Sequence, residues 1–265
     1  MIRIGIAGIP HSAKGKGTEA GIIKLRELGL DAMEVQFGRN VYMTEEAARA
    51  GAAVAKKEDV SLSVHAPYYV NLASKSEQTR QKSKDWIMKS ARVAAALGAT
   101  MVTIHAAREE QPDVVRESFR ELVKALKKEK ITVPLGIETM GDLGEFGSLD
   151  DVLDVVRKVP GTDVVVDFAH LYARTDGGLK TREDFEAIFD KIMAVKTGPL
   201  HIHFSGIEYK NSREVRHVPF GSGGPDIGLF ARTLTACRRD ATVICESPLL
   251  EEDALKLKGV FRSLQ

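Results

Sequence analysis

The chain has 265 residues, of which 43% are hydrophobic and 28% are charged, and its formal net charge is +1. These values are typical of a globular protein, and no apolar run reaches the roughly 18 residues that a membrane span needs, so we expect no membrane role. A charge near zero means that a nucleic-acid partner would have to be held by a local basic face. The chain begins in a strand-like pattern without an apolar targeting segment and has two cysteines, Cys237 and Cys245. We therefore expect a cytoplasmic protein without a disulfide framework.

Short runs rich in Val, Ile and Met alternate with longer segments of helical period along the whole chain. The pattern predicts helices that start near Thr18, Thr44, Ser76, Pro112, Ser148, Thr181, Asp226 and Glu251. It predicts eight strands, at Ile2–Gly8, Ala32–Gln36, Ser61–His65, Met101–His105, Val133–Glu138, Val164–Asp167, Leu200–Phe204 and Thr242–Glu246.

Eight parallel strands of this kind close most economically into a barrel, because buried parallel strands need helices over their outer face. We therefore expect an α/β protein, a single (β/α)8 TIM barrel that forms one domain over residues 1–265. An open doubly wound sheet is the alternative, but no Gly-x-Gly-x-x-Gly turn follows the first strand to support a nucleotide-binding version of it.

Strands three to eight each end in, or next to, a residue that can bind a metal. In a barrel the carboxyl ends of all strands meet on one face, so these side chains should share one pocket. Two further histidines, His170 and His217, lie close to these strand ends in sequence. The strand-end residues are His65, His105, Glu138, Asp167, His203 and Glu246.

A single histidine at a strand end is more often structural than a ligand, but the carboxylates strengthen the metal hypothesis. Glu138, Asp167 and Glu246 follow apolar stretches, where an ionised carboxylate is costly unless it is paired or bound to a cation. Imidazole together with carboxylate suits zinc or manganese. His201 shares its side of the strand with His203 and is interpreted as a residue that supports the ligands from behind or a deeper core residue, rather than as a ligand. Cys245 is interpreted as packing.

These residues stand in seven motifs that occur in order along the chain. They are VHAPYYVNLAS (64–74), IHAA (104–107), GIETMGDLGEFGS (136–148), VVDFAH (165–170), HIHFSG (201–206), RHVPFGSG (216–223) and CESP (245–248). With these motifs the chain resembles the endonuclease IV family of apurinic/apyrimidinic endonucleases over nearly its whole length.

The resemblance implies a zinc-dependent enzyme that incises duplex DNA on the 5′ side of an abasic site and leaves a 3′ hydroxyl. It makes His65 and His105 ligands of one zinc ion, with Glu138 bridging to a second. The second ion is completed by Asp167, His203 and Glu246, and a third is held by His170 and His217.

The resemblance also implies contacts with DNA. Tyr68 matches a residue that enters the DNA at the lesion, although packing of its loop is an equally good interpretation. Phosphate contacts are expected from basic residues of the strand-end loops, including Arg39, Lys75, Lys210 and Arg216, for each of which a merely solvated loop residue is the alternative. We expect a monomer.

The sequence departs from the family pattern in three places. The first strand lacks the usual histidine, the loop after strand two (FGRNVYM) is short, and Val215 stands where an aspartate ligand of the third metal is expected. Glu214 is expected to be a poor substitute, because adjacent side chains of an extended segment face opposite sides. We therefore expect two zinc ions, a third that is weak or absent, and a gain of metal in Val215→Asp.

A sugar isomerase or epimerase of the related xylose-isomerase-like barrels is the rival hypothesis. Such enzymes use one divalent ion, and Glu138, Asp167, His203 and Glu246 would fit that ligand set. A single-metal isomerase has no need of four further imidazoles, at His65, His105, His170 and His217, which is why the endonuclease hypothesis is preferred. A DNA-binding module without catalysis is a third alternative, disfavoured by the many buried carboxylates.

Overall fold

The computed structural model describes residues 1–264 and shows a closed barrel of eight parallel strands. Strand β1 pairs with β2 on one side and with the last barrel strand, β10, on the other, with Ile2 opposite Ala241. Two further strands, β8 and β9, form an antiparallel hairpin above the barrel. The strands of the described region are β1 (Ile2–Ala7), β2 (Ala32–Gln36), β3 (Ser61–His65), β4 (Val102–Ile104), β5 (Leu135–Glu138), β6 (Thr162–Asp167), β7 (Leu200–Phe204), β8 (Gly206–Tyr209), β9 (Glu214–Val218) and β10 (Ala241–Cys245).

The helices of the described region surround the barrel in chain order. They are α1 (Gly17–Glu27), α2 (Glu45–Glu58), α3 (Glu77–Leu97), α4 (Pro112–Lys128), α5 (Leu149–Lys158), α6 (Phe168–Arg174), α7 (Arg182–Met193), α8 (Ile227–Ala236) and α9 (Glu251–Arg262). No described helix is both long enough and apolar enough to cross a bilayer.

Side-chain caps explain why several helices begin where the sequence predicts. Thr181 accepts from the amide of Asp184, whose carboxylate accepts in turn from the amide of Thr181, a complete capping box. A simpler N-cap, in which the side chain accepts from the amide three residues on, begins α2, α3, α5 and α8, at Thr44, Ser76, Ser148 and Asp226. These local signals fix the helix starts independently of the barrel.

An aromatic cluster fixes which face of β7 points into the barrel. Phe204 stacks on Phe230 of α8 with ring centroids 4.1 Å apart, and both are fully buried. Side chains alternate along a strand, and Phe204 lies on the outer face of β7. His201 and His203 therefore point into the barrel. The hydrophobic layer between β7 and α8 thus positions two of the barrel's interior imidazoles.

Helix α6 and the β8–β9 hairpin were not predicted from the sequence, and several strand limits differ. Helix α6 follows β6 directly, and the β8–β9 hairpin follows β7 in a region predicted to be loop. Strand β4 ends at Ile104 and β10 at Cys245, so His105 and Glu246 lie one residue beyond their strands. Strand β5 begins at Leu135 rather than Val133, and β6 begins at Thr162 rather than Val164. None of these shifts moves a candidate ligand to the other end of the barrel.

Candidate metal centre

The candidate ligands meet at the carboxyl end of the barrel as three overlapping groups. Within each group the possible ligand atoms all lie within 4.8 Å of one another. Glu138 belongs to two of the groups and Asp167 to two, so neighbouring groups share a carboxylate. The groups are His65, His105 and Glu138; Glu138, Asp167, His203 and Glu246; and Asp167, His170 and His217.

Glu138 lies at the centre of this arrangement and is fully buried. Its Oε2 atom lies 3.2 Å from Nε2 of His65 and 2.9 Å from Nε2 of His105. Its Oε1 atom lies 3.0 Å from Nδ1 of His203. One carboxylate therefore connects imidazoles from three different strand ends, which is the geometry that a bridging ligand needs.

Three of the imidazoles are held by the ring nitrogen that faces away from the centre. Nδ1 of His65 lies 2.7 Å from the carbonyl of Ala66, and Nδ1 of His170 lies 2.9 Å from the carbonyl of Thr139. Nδ1 of His217 pairs with the hydroxyl of Ser205. A proton on Nδ1 leaves the lone pair on Nε2, so these rings present their Nε2 atoms to the centre as candidate ligands.

The two carboxylate oxygens of Asp167 differ in their hydrogen bonding. Oδ1 caps helix α6 by accepting from the amide of His170 at 2.7 Å, whereas Oδ2 is buried and has no hydrogen-bond partner among the described residues. Burial raises the pKa of this carboxyl group, and the His170 imidazole only partly offsets that effect. An unpartnered buried carboxylate oxygen among imidazoles fits a divalent cation, which would supply the missing positive charge.

The electrostatics of the other carboxylates follow from the surrounding imidazoles. Burial raises the pKa of Glu246, but the charge and hydrogen bond of His203, together with the imidazole of His217, bring it down to about 2. Burial likewise raises the pKa of Glu138, and His203 and His105 bring it well below its usual range. Burial lowers the pKa of His203, but Glu246, Glu34 and Glu138 raise it well above its usual value. Carboxylates with lowered pKa values thus surround an imidazole with a raised pKa. Positive charge is favoured in such surroundings, as expected of a cation site.

The expectation that Glu214 faces away from the third group is wrong. The side chains of β9 do not alternate strictly, because the hairpin register shifts here and leaves Val215 without a partner on β8. Val215 is 55% exposed, at the open mouth of the barrel. The Glu214 carboxylate lies 3.0 Å from Nε2 of His170 and 3.6 Å from Nε2 of His217. The amide of Glu214 donates to Asp142, which holds this end of the hairpin over the centre. A carboxylate is therefore available to the third group despite Val215.

A further buried carboxylate, Glu34 on β2, was missed by the sequence reasoning. Its side chain is inaccessible and forms a group with His201 and His203 beneath the metal centre. His201 contacts it at 3.2 Å, in agreement with the interpretation of His201 as a deeper core residue. Glu34 lies in the middle of a strand rather than at its end, and only its charge within the apolar run AMEVQ could have drawn attention to it.

A cavity of about 290 Å³ opens beside the centre at the mouth of the barrel. Tyr68 lies on its wall, is 41% exposed, and has its ring 4.8 Å from that of His65 and 5.5 Å from that of His105. The hydroxyl of Tyr68 donates to Gln36. Packing on the histidines and exposure to the cavity coexist, so the two interpretations of Tyr68 do not exclude each other. The other lining residues are Val70, His105, Ala107, Arg108, Met140, Asp142, Glu145, Glu214 and Val215.

The basic residues suggested for DNA contact are all exposed on strand-end loops or on the hairpin. Arg39 follows β2, Lys75 precedes α3, and Lys210 lies at the turn between β8 and β9. Arg216 projects from β9 and pairs with Glu208 at 2.8 Å. Their positions permit contact with a large ligand laid across the mouth, but Arg216 is partly neutralised by its partner.

Comparison with known proteins identifies the class to which this barrel belongs. Residues 22–264 match the family model described as xylose isomerase-like TIM barrel, so the chain belongs to that family. An uncharacterized protein of Methanocaldococcus jannaschii is 31% identical, covering 100% of this chain and 98% of the relative. The protein named "Probable endonuclease 4" of Mycobacterium leprae is 27% identical, covering 83% of this chain and 85% of the relative. The resemblance to endonuclease IV is thus confirmed at the level of similar relatives.

Solved structures confirm the fold but include more than one chemistry. Endonuclease IV from Thermus thermophilus superposes with a TM-score of 0.78 at 23% identity and 98% coverage of both chains. A D-tagatose 3-epimerase-like protein gives a TM-score of 0.76 at 18% identity, covering 98% of this chain and 96% of the other. Likeness at these identities speaks for the barrel alone, so the activity has to be argued from the site.

Proposed function

We propose that this protein is a metal-dependent phosphodiesterase that incises duplex DNA 5′ to abasic sites and leaves a 3′ hydroxyl. The observation that carries the proposal is the sharing of Glu138 and Asp167 between three adjacent ligand groups. Shared carboxylates suit a centre of two or more ions, and ions about 3.5–4 Å apart are the common device of phosphodiester hydrolysis. The endonuclease relatives support the same activity.

Zinc is the metal that the donor set fits best, because the groups combine imidazole with carboxylate and lack cysteine; manganese is the second choice. When bound, such ions supply positive charge that offsets the charge developing on a phosphodiester and help to generate a nucleophile from water. Glu138 and Asp167 would hold neighbouring ions together. We take His65, His105, His203, Glu246, His170 and His217 as the remaining ligands.

The chain's own residues explain the preference for an abasic site. A nucleotide without its base is cheap to move out of a duplex, because little stacking or pairing is lost. Tyr68 presents an exposed ring beside His65 and His105, at the wall of the cavity. The ring can occupy the space of the missing base, while Arg39, Lys75, Lys210 and Arg216 contact the phosphates on either side.

The rival function is a single-metal sugar isomerase or epimerase. The group of Glu138, Asp167, His203 and Glu246 would serve it, and epimerase-like barrels are among the structural neighbours. A single-metal isomerase would have no role for four further imidazoles at the same centre, those of His65, His105, His170 and His217. Imidazoles aimed at the centre by their Nε2 atoms favour the endonuclease.

One experiment separates the two functions. Zinc-loaded protein is incubated with a duplex oligonucleotide that carries one abasic site, and in parallel with a panel of ketoses. Incision 5′ to the site with a 3′-hydroxyl product is expected, and sugar turnover without DNA cleavage would refute the proposal. His65→Gln is the diagnostic variant, because it disrupts the first group and leaves the single-metal set intact. Incision should be lost in this variant, whereas an isomerase would retain its activity.

A further inference from the structure

Glu34 occupies a position that the proposed reaction does not use. It lies on β2, a strand that contributes none of the candidate ligands, and its side chain is fully enclosed inside the barrel. Three donors surround Oε2: the hydroxyls of Ser63 and Thr103, each at 2.9 Å, and Nε2 of His201 at 3.2 Å. A buried carboxylate is costly unless its oxygens are satisfied in this way, so this environment is built to keep a negative charge at a fixed place.

The second oxygen of Glu34 faces the metal centre. Oε1 accepts from Nε2 of Gln36 at 3.1 Å and lies 3.2 Å from Nε2 of His203. Within residues 1–264, that buried Nε2 atom makes no hydrogen bond of good geometry, and the Glu34 carboxylate is its neighbour at ion-pair distance. The opposite nitrogen, Nδ1, lies 3.0 Å from Glu138 and 3.4 Å from Glu246. The His203 ring therefore stands between the metal centre on one side and Glu34 on the other.

His203 is reversed relative to the other anchored imidazoles of the centre. His65, His170 and His217 are anchored at Nδ1 and present Nε2, whereas His203 presents Nδ1 and leaves Nε2 to be anchored. A neutral imidazole that ligates through Nδ1 carries its proton on Nε2 and needs an acceptor there. The carboxylate of Glu34, 3.2 Å away, is a charged group in position to serve as this acceptor.

We propose that Glu34 is a positioning residue that orients His203 and strengthens its Nδ1 as a metal ligand by accepting a hydrogen bond from the Nε2–H group. A carboxylate behind a ligating imidazole fixes the ring and raises its basicity, and loss of such a partner typically costs 10–100-fold in metal affinity. Because Oε2 is already held by three donors, the carboxylate cannot turn away from His203 without breaking them. The inference rests on metal binding at this centre, which is part of the proposed function, but not on DNA as the substrate.

The test measures zinc affinity and a spectroscopic signal as well as activity. Glu34→Met removes the acceptor at similar length, and Thr103→Val is the matched control, since it removes one donor to Glu34 and leaves the contact with His203. Competition with a chelator should show about 10–100-fold weaker retention of the ion at the Glu138, Asp167, His203 and Glu246 group in Glu34→Met. The ion held by His65 and His105 should be retained. Thr103→Val should stay within about threefold of the unmodified protein.

Nuclear magnetic resonance of the zinc-loaded protein gives a signal that would not change on replacement of Glu34 if that residue had only a structural role. The Nε2 proton of His203 should give a slowly exchanging, strongly downfield signal that disappears in Glu34→Met. Glu34→Gln, which keeps a neutral acceptor, should restore part of the zinc affinity and also serves if Glu34→Met fails to fold. Unmodified protein whose His203 Nε2 proton exchanges freely would overturn the inference, as would a folded Glu34→Met with unchanged zinc affinity. Failure of unmodified protein to bind zinc refutes the metal proposal itself, and absence of incision with normal zinc binding refutes only the substrate.

Discussion

The carboxylate of Glu214 lies 3.0 Å from Nε2 of His170. This contact restores an acidic partner to the third ligand group, although the position expected to supply it carries an exposed valine. The contact depends on the β8–β9 hairpin, whose register shifts between Glu208 and Tyr209. The hairpin's register, rather than the residue type at position 215, thus decides which side chain completes the group.

Replacement of Glu214 tests this relationship. Glu214→Gln should lower the zinc content by about one ion per chain after mild chelation, because two imidazoles and a shared aspartate hold zinc less firmly than a set with a further carboxylate. Val215→Asp is the matched comparison and should leave the zinc content unchanged, because residue 215 is exposed at the mouth of the barrel. Elemental analysis of the dialysed proteins measures both. A gain of zinc in Val215→Asp would show that the sequence-based expectation for this position was right.

Replacement of Glu138 tests the shared carboxylate. Glu138→Ala should reduce incision by more than about 100-fold, since loss of a direct ligand should exceed the 10–100-fold effect of losing an outer partner. More than one ion should be lost, because this side chain belongs to two ligand groups. Incision assays and elemental analysis on the same preparation measure the two effects. A variant that loses a single ion would show that Glu138 serves one group only.

Replacement of Tyr68 tests the aromatic contact with DNA. Tyr68→Ala should weaken binding of abasic duplex by roughly 5–150-fold, because stacking of a base on an aromatic ring is worth about 1–3 kcal/mol. Tyr69→Ala is the control: Tyr69 is 50% exposed on the same loop but does not line the cavity. Fluorescence anisotropy with an uncleaved abasic analogue gives the two dissociation constants. Equal losses in the two variants would point to a general effect of the loop.

Asp253 allows a prediction of how stability depends on pH. Burial raises the pKa of this carboxyl group, but Lys256, the hydroxyl of Ser247 and the amide of Phe220 lower it below its usual value. A lowered pKa in the folded state stabilises the protein above the unfolded value of about 3.9, and this contribution is lost as pH falls through the folded value.

Asp253→Asn should therefore lower the free energy of unfolding by about 1–3 kcal/mol at pH 7, the range for a buried acceptor with charged partners. The difference from the unmodified protein should shrink at acid pH, below the unfolded pKa. Urea denaturation at pH 7 and at acid pH measures it. A difference that is independent of pH would show that packing, and not the charge of Asp253, is responsible.

Most of the barrel, and the end of it at which the candidate ligands meet, could be predicted from the sequence. Short runs rich in Val, Ile and Met, and helix starts such as those near Thr181 and Asp226, are local signals, and a barrel brings the ends of its strands to a common face. The position of Glu34 could not be read in the same way, because its importance depends on His201 and His203, more than 160 residues away in sequence. The direction of the Glu214 side chain depends on the pairing between β8 and β9, and no periodic pattern in the sequence predicts that pairing. Helix α6 was missed because it is short and begins within the motif that supplies Asp167 and His170.

Closure of the barrel pairs Ile2 with Ala241, near opposite ends of the chain, and Glu246 follows the closing strand directly. Contacts of such long sequence separation form late in folding, since the intervening chain has to be ordered first. During synthesis, a nascent chain can present His65 and His105 long before the ribosome has released the segment that carries Glu246. Under the proposed function, the complete set of candidate ligands therefore exists only in the finished polypeptide, and truncated products of translation should bind metal ions weakly.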